Sequence, residues 1–188
     1  VTSARELTPL RDRLCLWQGD ITTLACDAVV NAANSRMLGC FCPNHGCIDN
    51  AIHTFAGVQL RLACAKLMAE QGHEEKPGGA KTTPAFNLPC RYVIHTVGPV
   101  VCGPLTETHK TMLASCYDAC LRAAERCGVE TLAFCCISTG EFHFPPQQAA
   151  VTALETVTAH LKRSGIVKKV IFNVFKDSDA EIYRRLLG

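Results

Sequence analysis

Between Gly39 and Asn50 the chain reads Gly39-Cys40-Phe41-Cys42-Pro43-Asn44-His45-Gly46-Cys47-Ile48-Asp49-Asn50, with four soft or borderline metal donors inside eight positions. Gly39, Pro43 and Gly46 supply the bends that let such donors converge on one ion. The spacing fits neither paired C-x-x-C ribbons nor the zinc-finger pattern, which disfavours a purely structural module. That module remains the alternative, because Cys40, Cys42, His45 and Cys47 together would close a Cys₃His site. Three ligands and one open tetrahedral position make the arrangement of a catalytic zinc, open to water or a substrate hydroxyl. Cys42 is then the expected outsider, two residues from Cys40 on a link stiffened by Pro43. Asp49 opens the helix that follows. It is either a first-turn carboxylate favoured by the helix dipole or, beside a zinc, a group that orients water or a ribose hydroxyl. His53, one turn further, either pairs with Asp49 or packs, and packing is expected.

Other loops have the chemistry to hold a nucleotide diphosphate. In Gln18-Gly19-Asp20-Ile21-Thr22, Asp20 either caps the next turn or accepts a hydrogen bond from an exocyclic amine such as adenine's. Asn31-Ala32-Ala33-Asn34 offers two amides to ribose hydroxyls or forms an ordinary turn. Ile137-Ser138-Thr139-Gly140 is small enough for successive N–H groups to form an anion nest, although no lysine follows as in a Walker A loop. Glu141 would repel a phosphate, so it should face outward. Phe175, just past a strand, is either a core side chain or a platform for a purine.

These loops need a frame. Short β-rich runs occur at Leu14–Trp17, Ala28–Asn31, Tyr92–Val97, Leu132–Ile137 and Val170–Val174, with a weaker one at Ala80–Phe86. One helical stripe joins Ile52, Ala56, Leu60, Ala63 and Leu67; a second joins Leu113, Cys116, Tyr117, Cys120, Leu121 and Ala124. A third comprises Ala150, Ala153, Leu154, Val157 and Leu161, and a last helix follows Ser178 as N-cap, with Ile182 and Leu186 inward. Gln71–Gly79 reads as an exposed loop. Alternating strands and helices predict an α/β fold whose mostly parallel sheet is covered on both faces, with ligands gathering beyond the carboxyl ends of the strands.

The chain has 188 residues, 48% hydrophobic and 19% charged, enough for one core, so residues 1–188 are expected to form one domain with 1–12 as a lead-in. Val1 in place of a start methionine points to chain missing upstream. The net charge of +2 arises from 19 basic and 17 acidic residues scattered without a Lys/Arg block, which disfavours nucleic acid as a partner. No apolar run approaches the roughly 20 residues that span a bilayer, and Val1-Thr2-Ser3-Ala4-Arg5 lacks a signal-type apolar region, so a cytoplasmic protein is expected. Thirteen cysteines, many inside apolar runs such as Ala133-Phe134-Cys135-Cys136-Ile137, read as reduced thiols rather than a disulfide framework.

In order, Gly19-Asp20-Ile21-Thr22, Asn31-Ala32-Ala33-Asn34, Asp49 with Ala51-Ile52-His53 and Ala56-Gly57, Ile137-Ser138-Thr139-Gly140 and Phe142 with Pro145 resemble the pattern of hydrolytic macrodomains from about Leu14 onward. Where common members carry glycines before the catalytic Asp, the Cys40–Cys47 loop resembles that of the zinc-dependent macrodomains of bacteria and fungi. The resemblance implies a three-layer α/β/α macrodomain with a mixed, mostly parallel sheet. It implies ADP-ribose binding through Asp20 and Ile21 at the adenine, through Ser138, Thr139, Gly140, Glu141 and Phe142 at the diphosphate, through Phe175 at the adenine end and through Asn34 near the distal ribose. Asp49 and Asn34 become the catalytic residues, and Cys40, His45 and Cys47 the ligands of Zn²⁺. The implied activity is zinc-dependent release of ADP-ribose from Asp or Glu side chains of mono-ADP-ribosylated proteins. The implied partners are a sirtuin-type ADP-ribosyltransferase and a lipoate-carrier protein of the glycine-cleavage type (GcvH-like). The alternatives are a non-catalytic ADP-ribose reader with a stiffening zinc, an O-acetyl-ADP-ribose deacetylase, and a structural zinc module with no nucleotide role.

Overall fold

The computed structural model describes residues 8–188; most of the expected lead-in lies outside the described residues. Six strands, β1 (Leu14–Gln18), β2 (Ala28–Ala33), β3 (Ala80–Pro84), β4 (Tyr92–Val97), β5 (Thr131–Phe134) and β6 (Lys169–Val174), form one sheet in the order β1-β6-β5-β2-β4-β3. Only the β3–β4 pair is antiparallel, so the sheet is mixed and mostly parallel. Among the described residues five α-helices accompany it: α1 (Ile48–Ala56), α2 (Val58–Gln71), α3 (Glu107–Arg126), α4 (Pro146–Arg163) and α5 (Asp177–Leu187). Successive side chains of a strand point to opposite faces. On β4, His95 meets Cys64 of α2, while Thr96 reaches Cys120 of α3. α1 and α2 therefore cover one face, and α3, with α4 and α5 packed in series beside it, covers the other. This is the expected three-layer architecture.

The central strands are apolar on both faces, as burial under two helical layers requires: Ala28, Val29, Val30, Val93, Ile94, Leu132 and Ala133 are fully buried. Asp27 fastens the amino ends of these strands. Its Oδ2 accepts hydrogen bonds from the N–H groups of Glu130 and Thr131 and from Thr131 Oγ1, and its Oδ1 accepts one from Arg91. Burial alone would raise the Asp27 pKa, but these bonds, led by that of the Thr131 N–H, outweigh it and hold the carboxyl below its ordinary 3.8. With one edge of the sheet closed this way, the opposite, carboxyl edge is left for the loops bearing Asp20, Asn34, Gly98, Ser138 and Phe175.

The stripes on α3 and α4 are buried at every expected position. The first stripe is in fact two helices, broken at Gly57, and Cys64 rather than Ala63 or Leu67 reaches the core from α2. β5 ends at Phe134 rather than Ile137, because Cys135–Ile137 already turn toward the loop. Ser178 lies inside α5, whose N-cap is Lys176 and whose buried residues are Ala180 and Tyr183. Ile182 and Leu186 sit half-buried at the flank.

Candidate active site

The amino end of α1 is the centre of the site. Cys47 is its N-cap, the Sγ accepting from the Asn50 N–H at 3.4 Å, and Asp49 follows in the first turn with its side chain 7% exposed. Asp49 Oδ1 accepts a hydrogen bond from Asn31 Nδ2 at 2.8 Å, and its Oδ2 accepts one from Asn34 Nδ2 at 3.3 Å. Burial raises the Asp49 pKa, opposed by the Asn31 bond and by Arg61. Asn34 also donates to the Gly39 carbonyl at 3.2 Å and accepts the Arg36 N–H, so one amide ties the end of β2, the loop entered at Gly39 and Asp49 together. Asn31 is not a ribose contact. It is fully buried inside β2, which runs on to Ala33, and its amide turns to Asp49 of α1.

Ahead of α1, the ligand atoms of Cys40, His45 and Cys47 all lie within 4.8 Å of one another. Cys40 Sγ is 3.3 Å from His45 Nδ1. Cys42 is exposed and offers its carbonyl, not its thiol, to Asn50 Nδ2 at 2.9 Å. Burial works against ionising Cys40, but a backbone group of Cys42 and the His45 ring prevail and lower the thiol below its ordinary 9.0. Cys40 first, and Glu141 next, raises His45 above 6.5. Two thiols and an imidazole, borderline-soft donors already gathered, fit a zinc ion. The loop enters this arrangement through Gly39, at φ +83°, where a Cβ would sit 2.8 Å from His53 Cγ. His53 packs: its buried ring lies under Gly39, and its Nε2 is 3.5 Å from Asp49 Oδ1. Burial, with Arg61, lowers its pKa to about 4.

The Ser138–Phe142 loop follows β5. Ser138 and His143 hold positive φ values of 66° and 54°, a conformation that non-glycine residues adopt only when their surroundings impose it. The loop is closed by hydrogen bonds from the Phe144 N–H to the Ser138 carbonyl, from the His143 N–H to the Gly140 carbonyl and from the Val101 N–H to the Phe142 carbonyl. Ser138 Oγ lies against Gly98, where any Cβ would collide with it, and has no hydrogen-bond partner among the described residues. Thr139 Oγ1 donates to the Cys136 carbonyl. Glu141 does face outward, with 68% of its side chain exposed, and its Oε1 stands 3.2 Å from His45 Nε2. The loop suited to a diphosphate thus touches the Cys40–Cys47 loop.

At the far end, Asp20 caps the short 3₁₀ turn Ile21–Thr23; both bonds, from the N–H and the Oγ1 of Thr22, use Oδ1. Ile21 is buried, which leaves only its backbone to face a ligand. Asn173 Nδ2 donates to the Gly19 carbonyl and the Gly19 N–H to the Val174 carbonyl, keeping the Asp20 and Phe175 ends together. Phe175 is 77% exposed, so the core reading is excluded. His95 has no counterpart in the sequence reading beyond its place in a strand. Its partner Asn31 is 64 positions away, a pairing only the β2–β4 register reveals.

The Macro domain family pattern matches residues 30–153. A protein-ADP-ribose hydrolase of Treponema medium is 53% identical over 100% of this chain and 74% of its own length. One from Staphylococcus aureus (strain Mu50 / ATCC 700699) is 50% identical over 100% of this chain and 71% of its own. The crystal structure of a Trypanosoma brucei macrodomain in complex with ADP-ribose is 35% identical, covers 94% of this chain and 69% of that one, and superposes with a TM-score of 0.81.

Proposed function

The chain belongs to the macro domain family, and from that premise we propose that it is a zinc-dependent hydrolase that removes ADP-ribose from acidic side chains of modified proteins. Its standing as an ADP-ribose hydrolase is supported by relatives of that name at 53% and 50% identity along the whole chain. One observation carries the finer reading: the 3.2 Å contact between His45 Nε2 and Glu141 Oε1. It joins the metal-type triad, next to Asp49, to the loop suited to a diphosphate.

Cys40, His45 and Cys47 hold the zinc. Bound there, zinc supplies a Lewis acid for an oxygen of the distal ribose or of water. The backbone of Ser138–Phe142 takes the diphosphate, its N–H groups serving where lysines would serve elsewhere. Asp20 accepts the exocyclic amine of adenine, and Phe175 offers its exposed ring to the purine. Asn34 holds the distal ribose while keeping Asp49 in register. Asp49, with both oxygens hydrogen-bonded, takes up a proton as water is added across the ester at C1″ of that ribose. The products are free ADP-ribose and the carboxylate of the acceptor. A carboxylate leaves as a stable anion near neutral pH, which makes an ester an easier target than the N-glycoside of arginine. On the resemblance, the acceptor is a lipoate-carrier protein of the glycine-cleavage type, modified by a sirtuin-type transferase in the reducing cytoplasm, where Cys40 and Cys47 stay available as thiolates.

The test uses a protein mono-ADP-ribosylated on glutamate. The zinc-loaded enzyme is expected to release ADP-ribose and Cys47→Ser is not, while calorimetry should find that the variant still binds free ADP-ribose. Full release by metal-free Cys47→Ala would overturn the zinc dependence. Tight ADP-ribose binding by the loaded wild type without release would replace the hydrolase with a reader, and faster turnover of O-acetyl-ADP-ribose would replace the substrate.

A further inference from the structure

Behind Asp49, on the face of the sheet covered by α1 and α2, lies a buried polar chain that the proposed chemistry does not use directly. Asn31 on β2 and His95 on β4 are directly opposite in the parallel register. Asn31 Nδ2 is 2.8 Å from Asp49 Oδ1 and 3.2 Å from His95 Nδ1. His95 Nε2 is 2.9 Å from Thr83 Oγ1 of β3 and 3.7 Å from Cys64 Sγ of α2. We infer that His95, as a neutral imidazole carrying its proton on Nε2, is a positioning residue for Asp49, acting through the side-chain amide of Asn31. The inference rests on the reading of Asp49 as a reacting group.

The assignment follows from matching donors to acceptors. The amide nitrogen has two hydrogens, one directed to the Asp49 carboxylate and one to His95 Nδ1. Turning the amide over would set its oxygen against the carboxylate. His95 Nδ1 must therefore be the acceptor, the proton lies on Nε2, and Nε2–H donates to Thr83 Oγ1. Asn31 Oδ1 is buried with no hydrogen-bond partner among the described residues, so the two N–H bonds are what hold the amide in its orientation. His95 stays neutral because burial, with His53 nearby, lowers its pKa to about 3.

The same neighbourhood has a rival reading. The ligand atoms of His53, Cys64 and His95 lie within 4.8 Å of one another, the composition of a second metal triad. Ligation through His95 Nε2, the nitrogen beside Cys64, needs that nitrogen bare and puts the proton on Nδ1. That proton would face the Asn31 N–H, donor against donor. The hydrogen-bond chain and a metal at this place exclude one another, and the short Asn31–Asp49 bond favours the chain.

Histidine side-chain ¹⁵N NMR on the whole protein decides the tautomer, with the His95 signal identified by its loss in His95→Asn. Nε2–H is expected; Nδ1–H would overturn the proposal in favour of the metal triad. Kinetics decide the role. His95→Leu removes the acceptor at Nδ1 and lowers kcat about tenfold, the scale of one hydrogen bond at the reacting geometry, while KM and the Kd for free ADP-ribose change less than about twofold. His95→Asn, whose oxygen replaces Nδ1, recovers most of that loss. An unchanged kcat in His95→Leu, or an Asn variant as slow as the Leu variant, would overturn the positioning role. Should His95→Leu fail to fold, Thr83→Val tests the far end of the chain: a kcat lowered about threefold at unchanged KM supports it and an unaltered kcat contradicts it. An Asp49→Asn enzyme of full activity would defeat the reading of Asp49 itself while leaving the tautomer measurement intact.

Discussion

Asp49 is a buried carboxyl held by two amides, and that setting separates its contribution to rate from its contribution to binding. Asp49→Asn should lower kcat about 100-fold or more while leaving the ADP-ribose Kd within a few-fold, the signature of a group used in proton transfer; equal losses in both would contradict it. Glu141 acts on the other side, where its contact with His45 Nε2 leaves Nδ1 beside Cys40 Sγ, facing the place of the proposed zinc. Glu141→Gln should therefore weaken zinc affinity about tenfold, measured by competition with a chromogenic chelator, and an unchanged affinity would dismiss the contact as incidental. The donor cluster at Cys40–Cys47 and the outward course of Glu141 were legible in the sequence, because ligand type, local bends and charge repulsion are local properties. The inward turn of Asn31 was not, since it depends on His95, a strand away.

The loops are only as well placed as the strands and turns that carry them. Gly98 ends β4 against Ser138 Oγ, so Gly98→Ala should push the Ser138–Phe142 loop outward and weaken ADP-ribose binding about tenfold, roughly 1.4 kcal/mol, with the sheet intact by circular dichroism. Unchanged binding would show that the loop yields freely. At the opposite edge, Asp27→Ala leaves the Glu130 and Thr131 N–H groups unpaired and should cost about 2–3 kcal/mol at pH 7 in urea unfolding. Because the folded carboxyl titrates below 3.8, that contribution is present above this pH and disappears as the pH falls through the lowered value. A deficit of the same size at pH 3 would contradict the electrostatic account. Strand positions were readable from β-branched runs, and the α3 and α4 stripes from their period. The break between α1 and α2 was not, because Ile52, Ala56 and Leu60 keep helical spacing across Gly57 and only the backbone reveals the bend.

For the molecule as a whole, the alternation of strands and helices predicted a mostly parallel sheet covered on both faces, and that is the architecture found. What it did not predict is how much polarity lies beneath the site: Asn31, Asp49, His53, Thr83 and His95 are all buried on one side of the sheet. His53 and His95, lowered to about 4 and about 3, bind protons less readily folded than unfolded, so the stability they support is full above pH 6.5 and declines as the pH falls toward those values. The raised carboxyl of Asp49 titrates in the opposite sense, so the effect is read as a difference. Between pH 6.5 and 4.5 the wild type should lose more stability than His95→Asn, by up to about 1.4 kcal/mol per pH unit, and parallel urea curves would contradict this. The central claim, that a zinc held by Cys40, His45 and Cys47 drives release of ADP-ribose, is tested most directly by metal analysis coupled to an ester-hydrolysis assay through chelation and restoration. One zinc per chain is expected, with loss of hydrolysis on its removal and recovery on adding one equivalent back. Full hydrolysis by the stripped protein would contradict it.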